Sequence, residues 1–225
     1  MIIRITLAVL LLASPMLFGS AVVENAPQSQ SKQAEAVSDQ SSEPILFRIV
    51  VDGKYGYIDK TGTIVINPQF DFARDFCEGL APVSIRNQGE WRYGYIDKTG
   101  VIVINPQFDW AEDFSEGLAA VSITNQGEWR YGYIDKTGTM VINPQFDNAL
   151  GFSEGLAAVQ IGGQGPFGTG KWGYIDKTGK YVIDPQFDGA EDFHEGLALV
   201  RIGDWETGKW GYVDMTGRYV WEPSD

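Results

Sequence analysis

Between residues 45 and 222 apolar and polar positions alternate in short runs, and the runs return in the same order. A two-residue alternation puts successive side chains on opposite faces of a strand. The first full set predicts strand A over Tyr55 to Asp59, strand B over Thr63 to Asn67 and strand C over Leu80 to Ile85. Asp59-Lys60-Thr61-Gly62 joins A to B. Asp there accepts hydrogen bonds from the turn backbone, and Gly supplies the positive φ of a bulged hairpin loop. Pro68 is expected to end strand B, because it has no N–H for the ladder. The stretch Phe70 to Phe76 is too short for a stable helix and is read as one helical turn packing Phe70, Ala73 and Phe76. Glu78-Gly79 closes that turn. In strand C, Ala81, Val83 and Ile85 fall on one face.

The set is written almost five times. Aromatic-Gly pairs open the copies at Tyr55-Gly56, Tyr93-Gly94, Tyr131-Gly132, Trp172-Gly173 and Trp210-Gly211, at spacings of 38, 38, 41 and 38 residues. A fixed period of this size marks a stack of one supersecondary unit that cannot bury its apolar face alone. Ile45 to Val51 stands in for a first C strand, and the last copy stops after its B strand near Trp221. Regrouped as C–A–B, the chain is expected to be all-β, a tandem array of five three-stranded meanders. Three strands are fewer than the four of a propeller blade. An open twisted array is therefore expected ahead of a closed, propeller-like ring.

The wording resembles the WG-repeat, or KWG-repeat, family over residues 55 to 225. The signature reads Lys171-Trp172-Gly173-Tyr174-Ile175-Asp176-Lys177-Thr178-Gly179, then Val182-Ile183-Asp184-Pro185-Gln186-Phe187, then Phe193 and Glu195-Gly196-Leu197-Ala198. Tyr55, Tyr93 and Tyr131 replace the Trp of the family name by another large aromatic with one polar handle. The resemblance implies a bacterial all-β repeat protein and no particular chemistry.

Upstream, Arg4 precedes an apolar run from Ile5 to Leu12 that continues through Met16, Leu17 and Phe18 to Gly19-Ser20-Ala21. Residues 1–21 read as a secretion signal, and the expected location is periplasmic or extracellular. A retained N-terminal anchor is the alternative, opposed by Pro15 and by the short apolar length. Residues 22–44, rich in Gln, Ser, Ala and Glu, read as a disordered linker. The repeat domain is then 45–225. The whole chain carries a net charge of −13; without residues 1–21 it keeps 16 basic against 30 acidic side chains, −14. Such a surface repels phosphate backbones and anionic membranes, so neither nucleic acid nor membrane insertion after signal cleavage is expected. Cys77 is the only cysteine. Ser115, Ser153 and His194 occupy its place elsewhere, which points to a tolerant, partly exposed position.

Motifs with a catalytic spelling have simpler explanations. Asp59-Lys60-Thr61-Gly62-Thr63 and Asp135-Lys136-Thr137-Gly138-Thr139 match the phosphorylated-aspartate motif of P-type ATPases, but the tetrad recurs at Asp97 and Asp176 between short strands, where turn chemistry explains it. Asp71/Asp75, Asp109/Asp113 and Asp188/Asp192 sit four apart and would share a face of a helical turn as weak Ca²⁺ sites; a solvated acidic face is the favoured reading. Glu78, Glu116, Glu154 and Glu195 each precede Gly in a turn. A glycosidase-type acid needs a distinctive environment, and a position copied four times lacks one. With His194 the single histidine, no catalytic constellation is visible, no cofactor or metal is implied, and the chain is expected not to be an enzyme.

Aromatics remain. Tyr57, Tyr95, Tyr133, Tyr174 and Tyr212 lie two residues after the leading aromatic and read as a ladder in the inter-unit core. Trp91, Trp129 and Trp205 fall in C–A connections. Phe72 and Trp110 occupy a turn position that is Asn148 or Gly189 in sister copies, so these five are the candidate binding residues. The expected function is an exported, non-catalytic scaffold or binding module for a protein or peptide. A carbohydrate or cell-wall glycan binder using Trp91, Trp110 and Trp129 is one alternative, and a hydrolase with its site between units is another.

Overall fold

The structure is a computed structural model that describes residues 44–87, 89–125, 127–163 and 169–224. The segment expected to be a secretion signal and nearly all of the segment expected to be a linker lie outside the described residues. The described secondary structure is all strand.

Unit 1 is a three-stranded antiparallel sheet of β1 (Phe47–Val51), β2 (Lys54–Ile58) and β3 (Ile64–Phe70). Unit 2 has four strands in the order β4 (Phe72–Ala73), β5 (Leu80–Asn87), β6 (Glu90–Asp97) and β7 (Ile102–Phe108). Unit 3 repeats this with β8 (Trp110–Ala111), β9 (Leu118–Asn125), β10 (Glu128–Asp135) and β11 (Met140–Phe146). Unit 4 has β12 (Asn148–Ala149), β13 (Leu156–Ile161), β14 (Lys171–Asp176) and β15 (Tyr181–Phe187). Unit 5 has β16 (Gly189–Ala190), β17 (Leu197–Ile202), β18 (Lys209–Asp214) and β19 (Tyr219–Ser224). The C–A–B grouping is therefore right. The unit gains a short fourth strand, because the segment read as a helical turn runs extended beside strand C, with Phe72 opposite Ser84 and Ala73 opposite Val83. Its carbonyls and amides are satisfied laterally: Asp71 N–H donates to Ser84 O and Arg74 N–H to Pro82 O.

Pro68 does not end strand B. β3 runs through it to Phe70, and the pairing slips: Tyr57 faces Ile66, yet Tyr55, only two residues back, faces Phe70. The extra residues bulge over Gly56, where a Cβ would sit 2.5 Å from Ile66 O and 2.6 Å from Pro68 N. The glycine of the aromatic-Gly pair is thus required by backbone contact, and Pro is tolerated in the bulge because no ladder donor is needed there. The Asp-Lys-Thr-Gly turns form as expected. In the second, Asp97 Oδ1 accepts from Thr99 N–H (2.8 Å), Thr99 Oγ1 (2.6 Å) and Val101 N–H (3.1 Å), and Gly100 has φ +85°.

Four apolar clusters hold the array, one at each successive junction. Between units 2 and 3, Tyr95, Ile104 and Phe108 meet Ala111, Phe114, Val121 and Ile134; the other three clusters repeat that arrangement. Alternation in strand C predicted one buried face, but both faces are buried in the interior units because each sheet lies between two others. Among the described residues no such cluster joins unit 5 to unit 1. Consistently, Tyr212 of unit 5 is 41% exposed while Tyr57, Tyr95, Tyr133 and Tyr174 are buried. The array is open.

Polar groups fasten each junction as regularly. The hydroxyls of Tyr57, Tyr95, Tyr133 and Tyr174 donate to the carbonyls of Arg74, Glu112, Leu150 and Glu191 in the next unit, at 2.6–2.8 Å. The predicted tyrosine ladder is core with a polar hook. Glu78 and Glu116 hold φ near +50° and accept from Gly117 and Gly155 N–H one unit on. Lys136 and Lys177 then clamp those same carboxylates at 3.0 and 3.1 Å. Ser115 and Ser153 donate to Phe152 O and Phe193 O. The Cys77 position, read as merely tolerant, is therefore a junction position in two sister units.

Candidate functional site

Four of the five candidate aromatics converge. Phe72 on β4, Trp91 on β6, Trp110 on β8 and Trp129 on β10 line one open pocket of about 650 Å³, together with Tyr93, Ser84, Thr124, Asp71, Glu90, Arg92 and Asp109. Sequence placed these indoles a full period apart. The stacking of units 2 and 3 brings them to one groove. Trp129 also walls a second pocket of about 670 Å³ with Arg130, Tyr131, Gln145, Asp147 and Gly163, so the groove continues toward unit 4.

The aromatics divide into floor and rim. Phe72, Tyr93 and Trp110 pack together, with centroids 5.8 Å apart for Phe72–Tyr93 and 5.1 Å for Tyr93–Trp110. Trp110 is only partly exposed: its Nε1 donates to Glu112 Oε1 at 2.6 Å, and the Arg74 guanidinium lies 5.4 Å from its ring centroid. Phe72 and Trp110 also pack against the junction core, although units 4 and 5 form the same short strand with Asn148 and Gly189 in their place. Trp91 and Trp129 form the rim, at 46% and 47% exposure. Trp205, 82% exposed, lies apart in the β17–β18 connection, beside the Arg201 guanidinium at 5.0 Å.

The groove's charges are internally paired. Arg92 bridges Glu90 at 2.5 Å and Asp109. Lys54 pairs with Asp71 at 2.5 Å, and Arg130 with Asp147 at 2.6 Å. Asp71, Asp109, Asp147 and Asp188 each also accept a backbone N–H at the end of strand C, from Arg86, Thr124, Gly163 and Gly203. This bracket holds Asp71 and Asp188 below the usual carboxylate range; the Lys54 hydrogen bond is the main force on Asp71, while at Asp188 the Lys171 and Gly203 bonds outweigh burial. By spacing alone the Asp71-type residues form one half of an acidic helical face. Without a helix the pairing dissolves: Asp71 braces strand C, and Asp75 points to solvent opposite Arg48. No group of three or more His, Cys, Asp or Glu suited to a metal occurs among the described residues. Asp113, at the Asp75 position, has its carboxyl pushed up, chiefly by burial, with Arg74 opposing.

The sequence matches the family described as "WG containing repeat" over residues 55–88, 93–126, 131–164 and 172–204. This chain belongs to that family: an all-β repeat protein in which each unit is built around an inner aromatic-Gly strand. No curated protein matches it. Among solved structures it is similar to the crystal structure of TolB from Acinetobacter baumannii, at TM-score 0.46 and 12% identity, over 78% of this chain and 50% of that one. It is also similar to puromycin hydrolase, at TM-score 0.49 and 15% identity, over 76% of this chain and 33% of that one. For the tricorn protease the values are 0.41, 11%, 78% and 22%. The chain spans half or less of the length of each.

Proposed function

We propose that this chain is an exported, non-catalytic binding module that holds a peptide segment of a protein partner in the aromatic groove of units 2 and 3. The supporting observation is the convergence of Trp91 and Trp129, both half exposed, over the floor of Phe72, Tyr93 and Trp110. Half-exposed indoles grouped in a concave site supply anchoring area at low entropic cost. The partner segment carries an apolar anchor flanked by basic residues: the acidic chain draws cations by long-range attraction, and their side chains stack on indole faces. Export rests on the N-terminal apolar segment with its small-residue end.

A second reading has its own support. Because Arg92 is held by both Glu90 and Asp109, the groove offers fixed donors and acceptors beside flat rings, which also suits the hydroxyls of a neutral glycan. A pull-down from an envelope fraction, run beside a glycan array, separates the two. Capture of a protein whose basic peptide binds the wild type, weakens with salt and fails on Trp91→Ala/Trp129→Ala supports the peptide reading. Glycan binding lost in the same variant replaces it, and retention of both activities by the variant sinks the groove itself.

A further inference from the structure

Each interior junction joins a forward face to a backward face, and among the described residues one face of each kind is left without a partner unit, the forward face of unit 5 and the backward face of unit 1. The forward face of unit 5 carries Tyr212 and Trp221, 41% and 50% exposed, with ring centroids 6.4 Å apart. Tyr212 stands where four other tyrosines hook the next unit. Trp221 stands where Ile66, Ile104, Ile142 and Ile183 lie against the following turn glycine. The backward face of unit 1 carries Phe47, 49% exposed, and Val51, also exposed. By register Phe47 opposite Ile58 corresponds to Ala119 opposite Ile134, a buried pair in unit 3. Gly62 makes the same point: a Cβ there would touch nothing, whereas Gly100, Gly138, Gly179 and Gly217 press on the isoleucine of the unit before.

We propose that a second copy of this chain covers these faces head to tail, unit 5 of one copy against unit 1 of the next. The two faces are the halves of an interface this chain already forms four times, so their chemistry is complementary before the copies meet. Two aromatics are larger than their interior counterparts: Phe47 replaces Ala, and Trp221 replaces Ile. They fill volume that interior junctions take from the segment before strand C, such as Phe114 packed on Tyr95 at 4.8 Å; among the described residues unit 1 has no fourth strand to supply it. A contact between unlike faces of identical copies is heterologous, so it propagates or closes into a ring. Both copies are strongly acidic, and added salt screens their repulsion. Association therefore strengthens with salt, opposite to the groove's capture of a basic peptide.

The test is the mass of the full-length mature chain by sedimentation and light scattering, from micromolar to millimolar concentration. Wild type is expected to grow in integer steps with concentration. Phe47→Glu and Trp221→Glu are each expected to stay monomeric alone. Mixed together they should give a dimer and nothing larger, because each retains the face the other lost. Circular dichroism checks folding, and Val51→Glu with Tyr212→Glu is the second pair should either first variant unfold. A wild type that stays monomeric throughout overturns the proposal. So does a single variant that assembles like wild type, or a mixture that stays monomeric while wild type assembles.

Discussion

The hydroxyl of Tyr133 donates a 2.8 Å hydrogen bond to the carbonyl of Leu150, seventeen residues on and in the next unit. Tyr133 is buried, and burial pushes its phenol far up, so it stays a neutral donor throughout the working pH range. Its removal tests whether stability resides at the junctions. Tyr133→Phe keeps the ring against Phe152 but leaves the Leu150 carbonyl unpaired, with an expected loss of about 1–3 kcal/mol. Tyr212→Phe, at the open end, should lose about 0.5 kcal/mol or less. Urea melts of the two variants check the contrast; equal losses would mean the hydroxyls contribute nothing across junctions.

Two glycines have different reasons and predict different outcomes. At Gly94 a Cβ would sit 2.3 Å from Ile104 O and 2.6 Å from Pro106 N, both backbone atoms that cannot swing aside. Gly94→Ala should therefore cost about 3 kcal/mol or more. At Gly100 the φ of +85° and the Ile66 side chain at 3.1 Å both oppose substitution. Gly100→Val should cost about 1–3 kcal/mol, while Asp97→Asn, which still accepts the turn's hydrogen bonds, should stay within about 0.5 kcal/mol. Thermal melts of the three variants should rank in that order.

Asp113 works against the fold at neutral pH. Its folded pKa is raised by burial, and its Oδ1 is buried without a partner. A raised pKa contributes stability that is present below the unfolded carboxylate range, about pH 4, and lost as pH rises through the folded value. Asp113→Asn should therefore melt higher than wild type at pH 7, with the gap closing as pH falls below about 4. Arg74 keeps Glu112 at 2.7 Å in either case. The turn aspartates run the other way: their pKa values are lowered, first by the Thr hydroxyl, and their stabilisation fades as pH falls through those lowered values. A gap that widens toward acid would overturn the assignment for Asp113.

The rim indoles should separate binding from stability. Trp91 and Trp129 are half exposed, so Trp91→Ala with Trp129→Ala should lower stability by about 1 kcal/mol or less, against about 3–5 kcal/mol for truncating one buried Trp. Trp110→Ala should destabilise more than the rim pair, since it packs on Tyr93 and Phe72. A calorimetric melt of both variants decides. A large fall for the rim pair would place those indoles in the core and remove them as ligand contacts.

What the sequence determined is what sequence-local physics fixes. The period, the strand alternation and the Asp-Lys-Thr-Gly turns depend on residues within a few positions of one another, and they appear where the spelling puts them. The aromatic candidates at 91, 110 and 129 could be picked out because sister copies lack or duplicate them. Tertiary structure decided the rest. Phe70 to Phe76 looked helical by spacing, yet the edge of strand C offered Ser84 and Pro82 carbonyls to Asp71 and Arg74, and lateral pairing won. Pro68 looked like a stop, but its missing N–H fits a bulge over Gly56 that only the neighbouring strand reveals. The Glu before each turn glycine looked like turn spelling; at Glu78, Glu116 and Glu154 its carboxylate also accepts from an amide of the next unit. The groove lay beyond sequence altogether, because indoles 38 residues apart meet only once units 2 and 3 stack face to face.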